Sequence, residues 1–134
     1  MNVKTGRYHL STLLETPVHN EAGRQCGQIT DFTLTLRKNW PCFDQAVIFD
    51  FNSSCHRLAA RKCFREFSAG SFVLATPIND LPLLPADFSK PTATQLWDKS
   101  VIDTINVRTV QINDLEILFD ESGEIWVNGI DISF

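Results

Sequence analysis

The sequence predicts an all-β fold: a small β-barrel, formed as a single domain over residues 1–134 from an imperfect internal repeat, with one short helix. Three observations predict it. First, QITDF at Gln28 returns 83 positions later as QINDL at Gln111, and the match runs on without a gap through Leu13 and Leu96, Val18 and Val101, and Phe32 and Leu115. Second, apolar residues in both copies alternate with period two, the pattern of a half-buried strand. Third, that alternation slips once in each copy, at the same place. Ile29 stands three residues before Phe32, and Ile112 three before Leu115, so an extra residue at Thr30-Asp31 and at Asn113-Asp114 must form a β-bulge if both neighbours are to point inward. Bulges bend strands, and a small barrel needs bent strands at its corners.

The first repeat covers about residues 8–75. TPVHN is a short strand, EAGR a tight turn in which Gly23 supplies a positive φ, and QITDFTLTL a longer strand with Phe32, Leu34 and Leu36 on one face. CFDQAVIFDF, Cys42 to Phe51, is a third strand. AARKCFREF then places Ala60, Phe64 and Phe67 at helical spacing, ended by Ser68-Ala69-Gly70, so the short helix is expected over Ala59 to Phe67. SFVLA resumes as a strand.

Pro77, Pro82, Pro85 and Pro91 exclude a regular helix and make residues 76–94 an extended connector. Its Leu81, Leu83, Leu84 and Phe88 need cover, from this domain or from a partner. The second, partial repeat (95–134) places Asn106 at the turn position of Gly23, then a strand through QINDLEIL, a DESG turn at Asp120 to Gly123, and a last strand in EIWVNGIDISF. It lacks a counterpart of the helix and fourth strand, and unpaired edges are avoided. The second copy must therefore close the first barrel or pair with another chain, and a two-fold homodimer is expected on that ground.

Twelve Lys plus Arg against sixteen Asp plus Glu give a net charge of −4, which argues against a broad nucleic-acid surface. No stretch approaches the roughly 18 to 20 apolar residues of a membrane span, and no leader pattern opens the chain, so a cytoplasmic protein without membrane insertion is expected. Cys26, Cys42, Cys55 and Cys63 show no CxxC spacing and read as reduced thiols. Cys55, His56 and Cys63 lack the second close pair that structural zinc requires, and nothing local equips them as a nucleophile pair. No enzyme activity, cofactor or metal is expected.

Asp31, Asp114 and Asp131 are the carboxylates that magnesium could use. A carboxylate at a bulge also has a local task, accepting hydrogen bonds from backbone N–H groups that the bulge leaves unpaired. Gly23, Asp31, Asn106, Asn113 and Asp114 are accordingly read as structural turn and bulge residues. Two surfaces remain as candidate binding sites. Arg57, Arg61 and Arg65 recur every four residues and would share one face of the expected helix, where they could meet phosphates or an acidic protein. Leu81, Leu83 and Leu84 offer an apolar surface on the connector.

The stretch LETPVHNEAGRQCGQITD, Leu14 to Asp31, followed by strands and the second unit VIDTINVRTVQINDLEIL, resembles the PRC-barrel family, named for a cytoplasmic domain of the photosynthetic reaction centre. The likeness runs from about Tyr8 to Asp131 and is nearest to barrels that precede CBS modules or a magnesium transporter. Glu15 stands where that pattern usually has Gly; Asn106-Val107-Arg108 and Gln111 stand where it tends to carry arginines. The resemblance implies a non-catalytic adaptor or regulatory module docking a protein partner, in a magnesium-transport or CBS-containing system. Its alternatives are a ribosome- or RNA-maturation module, by likeness to another branch, and a metal-sensing domain.

Overall fold

The structure is a computed structural model that describes residues 5–98, 100–103 and 108–133. Among the described residues ten strands form one curled sheet: β1 (Gly6–His9), β2 (Pro17–His19), β3 (Gln25–Arg37), β4 (Trp40–Asp50), β5 (Cys55–Ala60), β6 (Phe64–Ser68), β7 (Ser71–Leu74), β8 (Ser100–Asp103), β9 (Arg108–Phe119) and β10 (Ile125–Ser133). Among the described residues two single-turn α-helices accompany them, α1 (Leu10–Leu13) and α2 (Ala93–Trp97). The main path of the sheet runs β1-β9-β10-β4-β3-β2-β7-β6, with β5 added to β4 and β8 added to β9.

The repeat is visible in the register. β2 lies on β3 as Pro17 opposite Gln28, and β8 lies on β9 as Ser100 opposite Gln111. The expected bulges are present: between β3 and β4 the pairing skips Thr30, and between β9 and β10 it skips Asn113. Each skip lets two residues three apart face the core, so Ile29 and Phe32 are both fully buried, as are Ile112 and Leu115 to within 4%. A second bulge is repeated as well, on the return strands at Asp44-Gln45 and at Asn128. The turns at Gly23 and Gly123 both carry positive φ, 82° and 88°. Asn106 lies outside the described residues.

The return strands β4 and β10 meet antiparallel at Cys42 opposite Trp126. These two residues are each other's repeat counterparts, since Cys42 faces Thr35 in one hairpin and Trp126 faces Leu118 in the other. A pseudo-two-fold axis therefore passes between them, and the second copy joins the first within one chain. Trp40 fastens this seam, its indole N–H donating to the Val127 carbonyl at 2.5 Å.

The helices interlock the copies. α1 belongs to the first copy but is held by β9 of the second, where the Asp114 carboxylate accepts from the Ser11 amide at 3.2 Å and from its hydroxyl at 2.5 Å. α2 belongs to the second copy and is held by β3 of the first, where Asp31 accepts from the Thr94 amide at 3.1 Å and from its hydroxyl at 2.5 Å. A one-turn helix leaves most of its amides without internal partners, so such external acceptors decide whether it forms. Thr92 and Gln95 add a reciprocal capping box to α2. Each aspartate also accepts from the next backbone amide, Phe32 or Leu115, at 2.8 Å, which is the local task expected at a bulge.

The helix expected over Ala59 to Phe67 is not there. β5 runs through Ala60, Arg61–Cys63 is a single 3₁₀ turn, and Phe64–Ser68 is strand β6. The spacing that looked helical has another origin: pairing of β6 with β7 skips Arg65, so Phe64 and Phe67 point inward together although three residues apart. With Phe32, Phe43 and Phe72 they form the aromatic centre of the core. Phe32 stacks on Phe43 at 4.4 Å, and Phe67 meets Phe72 edge-on at 5.0 Å. The connector wraps its own barrel: Leu58 N–H donates to the Pro82 carbonyl and Leu84 N–H to the His56 carbonyl, both at 2.9 Å, giving β5 a partner on its outer edge.

Candidate functional site

With the helix replaced by strand and turn, Arg57, Arg61 and Arg65 do not share a face. Arg57 lies on β5 and is tied down, its Nε donating to Asp50 at 2.8 Å and its terminal nitrogen to the Leu81 carbonyl at 2.8 Å. Arg61 sits over the Phe67 ring at 5.3 Å, and Arg65 is the exposed residue of the β6 bulge. The connector leucines also separate. Leu81 belongs to the core at 3% exposure, Leu84 is half-buried, and Leu83 alone is open, at 56%.

Asp50 has no exposed surface and accepts from Asn52 and Ser53 amides, the Ser53 hydroxyl and Arg57. Burial by itself would raise its pKa, but these donors outweigh burial and hold the carboxyl below the usual range. Asp120 behaves the same way in the β9-β10 turn: burial opposes ionisation, and the Ser122 hydroxyl, the Trp126 indole and backbone N–H groups reverse it. Cys42 goes the other way. Burial first, then its contact with Glu124 at 3.2 Å, pushes its thiol up to about 11, so it stays protonated at neutral pH. Among the described residues no three or more of His, Cys, Asp and Glu are grouped to hold a metal ion.

The feature that stands apart is apolar and lies at the far end of β3. Leu34, Leu36 and Pro41 of the β3-β4 hairpin line an open groove of about 340 Å³ with Pro91 and Leu96. A more polar cleft continues it past Ser89, Thr92, Gln95 and Asp98. Leu36 is 69% exposed, and Trp40, beside it at the hairpin end, is 51% exposed. The β3-β4 turn that presents them is formed by Lys38 and Asn39, both at positive φ, as a type I′ two-residue hairpin requires.

None of these groove residues follows from spacing or composition. The signal lay in the repeat itself, where Leu36 aligns with Phe119 and Pro91 with Tyr8. The chain matches no family model, and no curated protein is significantly similar to it. Among the described residues no helix is long and apolar enough to cross a membrane.

Proposed function

We propose that the chain is a non-catalytic protein-docking module, an interlocked barrel that presents apolar surface to a protein partner. The observation that supports this reading is the placement of exposed apolar residues. Leu36 lines the apolar groove and Trp40 is exposed at the end of the same hairpin, while Ile130 and Ile132 lie on the stretch of β10 whose counterpart in β4 is covered by β5. Exposed apolar residues around a groove mark interaction sites. The carboxylates that a metal-sensing reading would need, Asp31 and Asp114, already cap α2 and α1. The arginines that an RNA reading would need are dispersed over three elements.

A two-fold homodimer stays within this proposal, with β10 from Gly129 to Ser133 as the edge where it would form. Light scattering coupled to size exclusion decides that point: a mass of twice 15.2 kDa supports the dimer, and the single mass removes it. The docking reading itself is tested by cross-linking in cells of origin followed by reconstitution. A purified protein that binds the purified chain directly, after ribonuclease treatment, supports it; recovery of RNA-dependent associations alone overturns it. The regulatory setting, whether a magnesium-transport or CBS-containing system, is then read from the partner's identity.

A further inference from the structure

Resting on the docking reading, we infer that the groove at the end of β3 receives an extended segment of another protein, added antiparallel to β3 with an aromatic side chain laid against Leu36. The repeat supplies the occupant's chemistry, because the same place in the second copy is filled. There β1 lies antiparallel along β9, with Gly6 opposite Phe119, Tyr8 opposite Ile117 and His9 opposite Glu116. The Tyr8 ring meets Phe119 edge-on at 5.4 Å, and Phe119 and Ile117 are buried to within 1%.

In the first copy the corresponding ladder stops after one rung. Thr92 bridges Thr33, the counterparts of His9 and Glu116, and the Leu34 amide donates to the Pro91 carbonyl at 2.9 Å. Pro91 then occupies the place of Tyr8. Proline has no N–H to return to the strand and no ring large enough to cover the next apolar position, and the chain bends away at Lys90.

Two residues beyond Leu34, the amide and carbonyl of Leu36 point the same way, toward the open side. Their orientation is also fixed from the other side, since Leu36 stands opposite Pro41, which has no N–H to offer a ladder. Among the described residues no strand lies along this edge, and the side chain of Leu36 is exposed where Phe119 is covered. The site thus combines backbone groups awaiting a strand with an apolar pocket for alternate side chains, the two components of strand addition.

The probe is a capped, fluorescein-labelled peptide with the sequence of residues 5–10, which carries the β1 pattern, titrated into the intact chain by anisotropy and by amide chemical shifts. Saturable binding is expected, with shifts at Thr35, Leu36 and Arg37. Affinity should fall at least tenfold in Leu36→Asp, and equally when the peptide's tyrosine is replaced by alanine, a control that leaves the protein unaltered. Leu83→Asp, at the other exposed leucine, should bind as the parent does. Absence of saturation at millimolar peptide overturns the inference, as do shifts confined to Glu116–Phe119, which mean exchange with β1. A parent dimer that Leu36→Asp makes monomeric also overturns it, because a second copy then fills the groove. A reconstituted partner that binds Leu36→Asp as tightly as the parent overturns the groove and leaves the docking reading standing.

Discussion

Phe119 and Leu36 occupy one position in two copies of the same hairpin, and so do Ile125 and Pro41, yet the first of each pair is buried in the core and Leu36 is 69% exposed. The strands beneath them are alike in bulges and register. What differs is the segment laid across: a full four-residue strand with Tyr8 on one side, and a single bridge interrupted by Pro91 on the other. Burial at this place is therefore decided by the chain that crosses the hairpin, not by the hairpin's own residues. A duplicated unit can keep one face for the core and release its twin for contact with something else.

The sharpest way to break the comparison is to truncate both members. Phe119→Ala should cost about 3–5 kcal/mol in denaturant unfolding, as large-to-small changes in a closed core do. Leu36→Ala should cost under about 0.5 kcal/mol, as exposed changes do; equal losses would mean that Leu36 is covered in solution. A second large effect belongs to the first copy alone. Asp50→Asn leaves Arg57, only 12% exposed, without its counter-charge and should destabilise by about 3 kcal/mol.

The same pair gives a pH dependence. Because the folded carboxyl of Asp50 titrates below its unfolded value, its contribution is complete above about pH 5 and is lost as pH falls through the ordinary carboxylate range near 4 and below. Acid unfolding of the parent should then be steeper than that of Asp50→Asn between those limits.

The helix caps provide a symmetric control. Asp31→Ala and Asp114→Ala should each cost about 1–2 kcal/mol, as lost caps do, and by similar amounts because each removes the same pair of bonds from the opposite copy's helix. A marked inequality in urea midpoints would show that the pseudo-symmetry of the fold is not one of energy. The last effect is a gain. Glu15 stands at φ 65°, where a side chain is strained, so Glu15→Gly should stabilise by roughly 0.5–1 kcal/mol in a melting experiment.

Much of the barrel was legible because bulges leave a mark in the alternation. Ile29-Phe32 and Ile112-Leu115 break period two in step, and no helix explains residues 28–36 with threonines between the apolar positions. The same slip at Phe64-Phe67 misled, because three-residue spacing is common to a bulge and a helical turn, and the intervening Arg65 and Glu66 favour neither. Leu10–Leu13 and Ala93–Trp97 showed no helical period, since one turn is too short for one; α1 is capped by Asp114, 103 residues away, and α2 carries one local mark, the Thr92-Gln95 capping box, beside an acceptor, Asp31, 63 residues away. The groove was hidden for a related reason. Exposure of Leu36 depends on what fails to pass over it, which becomes visible only when Pro91 is set against Tyr8.

The crossed aspartates also bear on how the chain comes off the ribosome. α1 is made 103 residues before the carboxylate that holds it, which lies on β9, so the helix has no such acceptor until that strand has been made. α2, made late, finds its acceptor waiting on β3. Contacts of such long sequence separation delay structure and favour a single cooperative transition. A first copy released without the second, by a stalled message or a protease, would lack this cap and stay open to degradation.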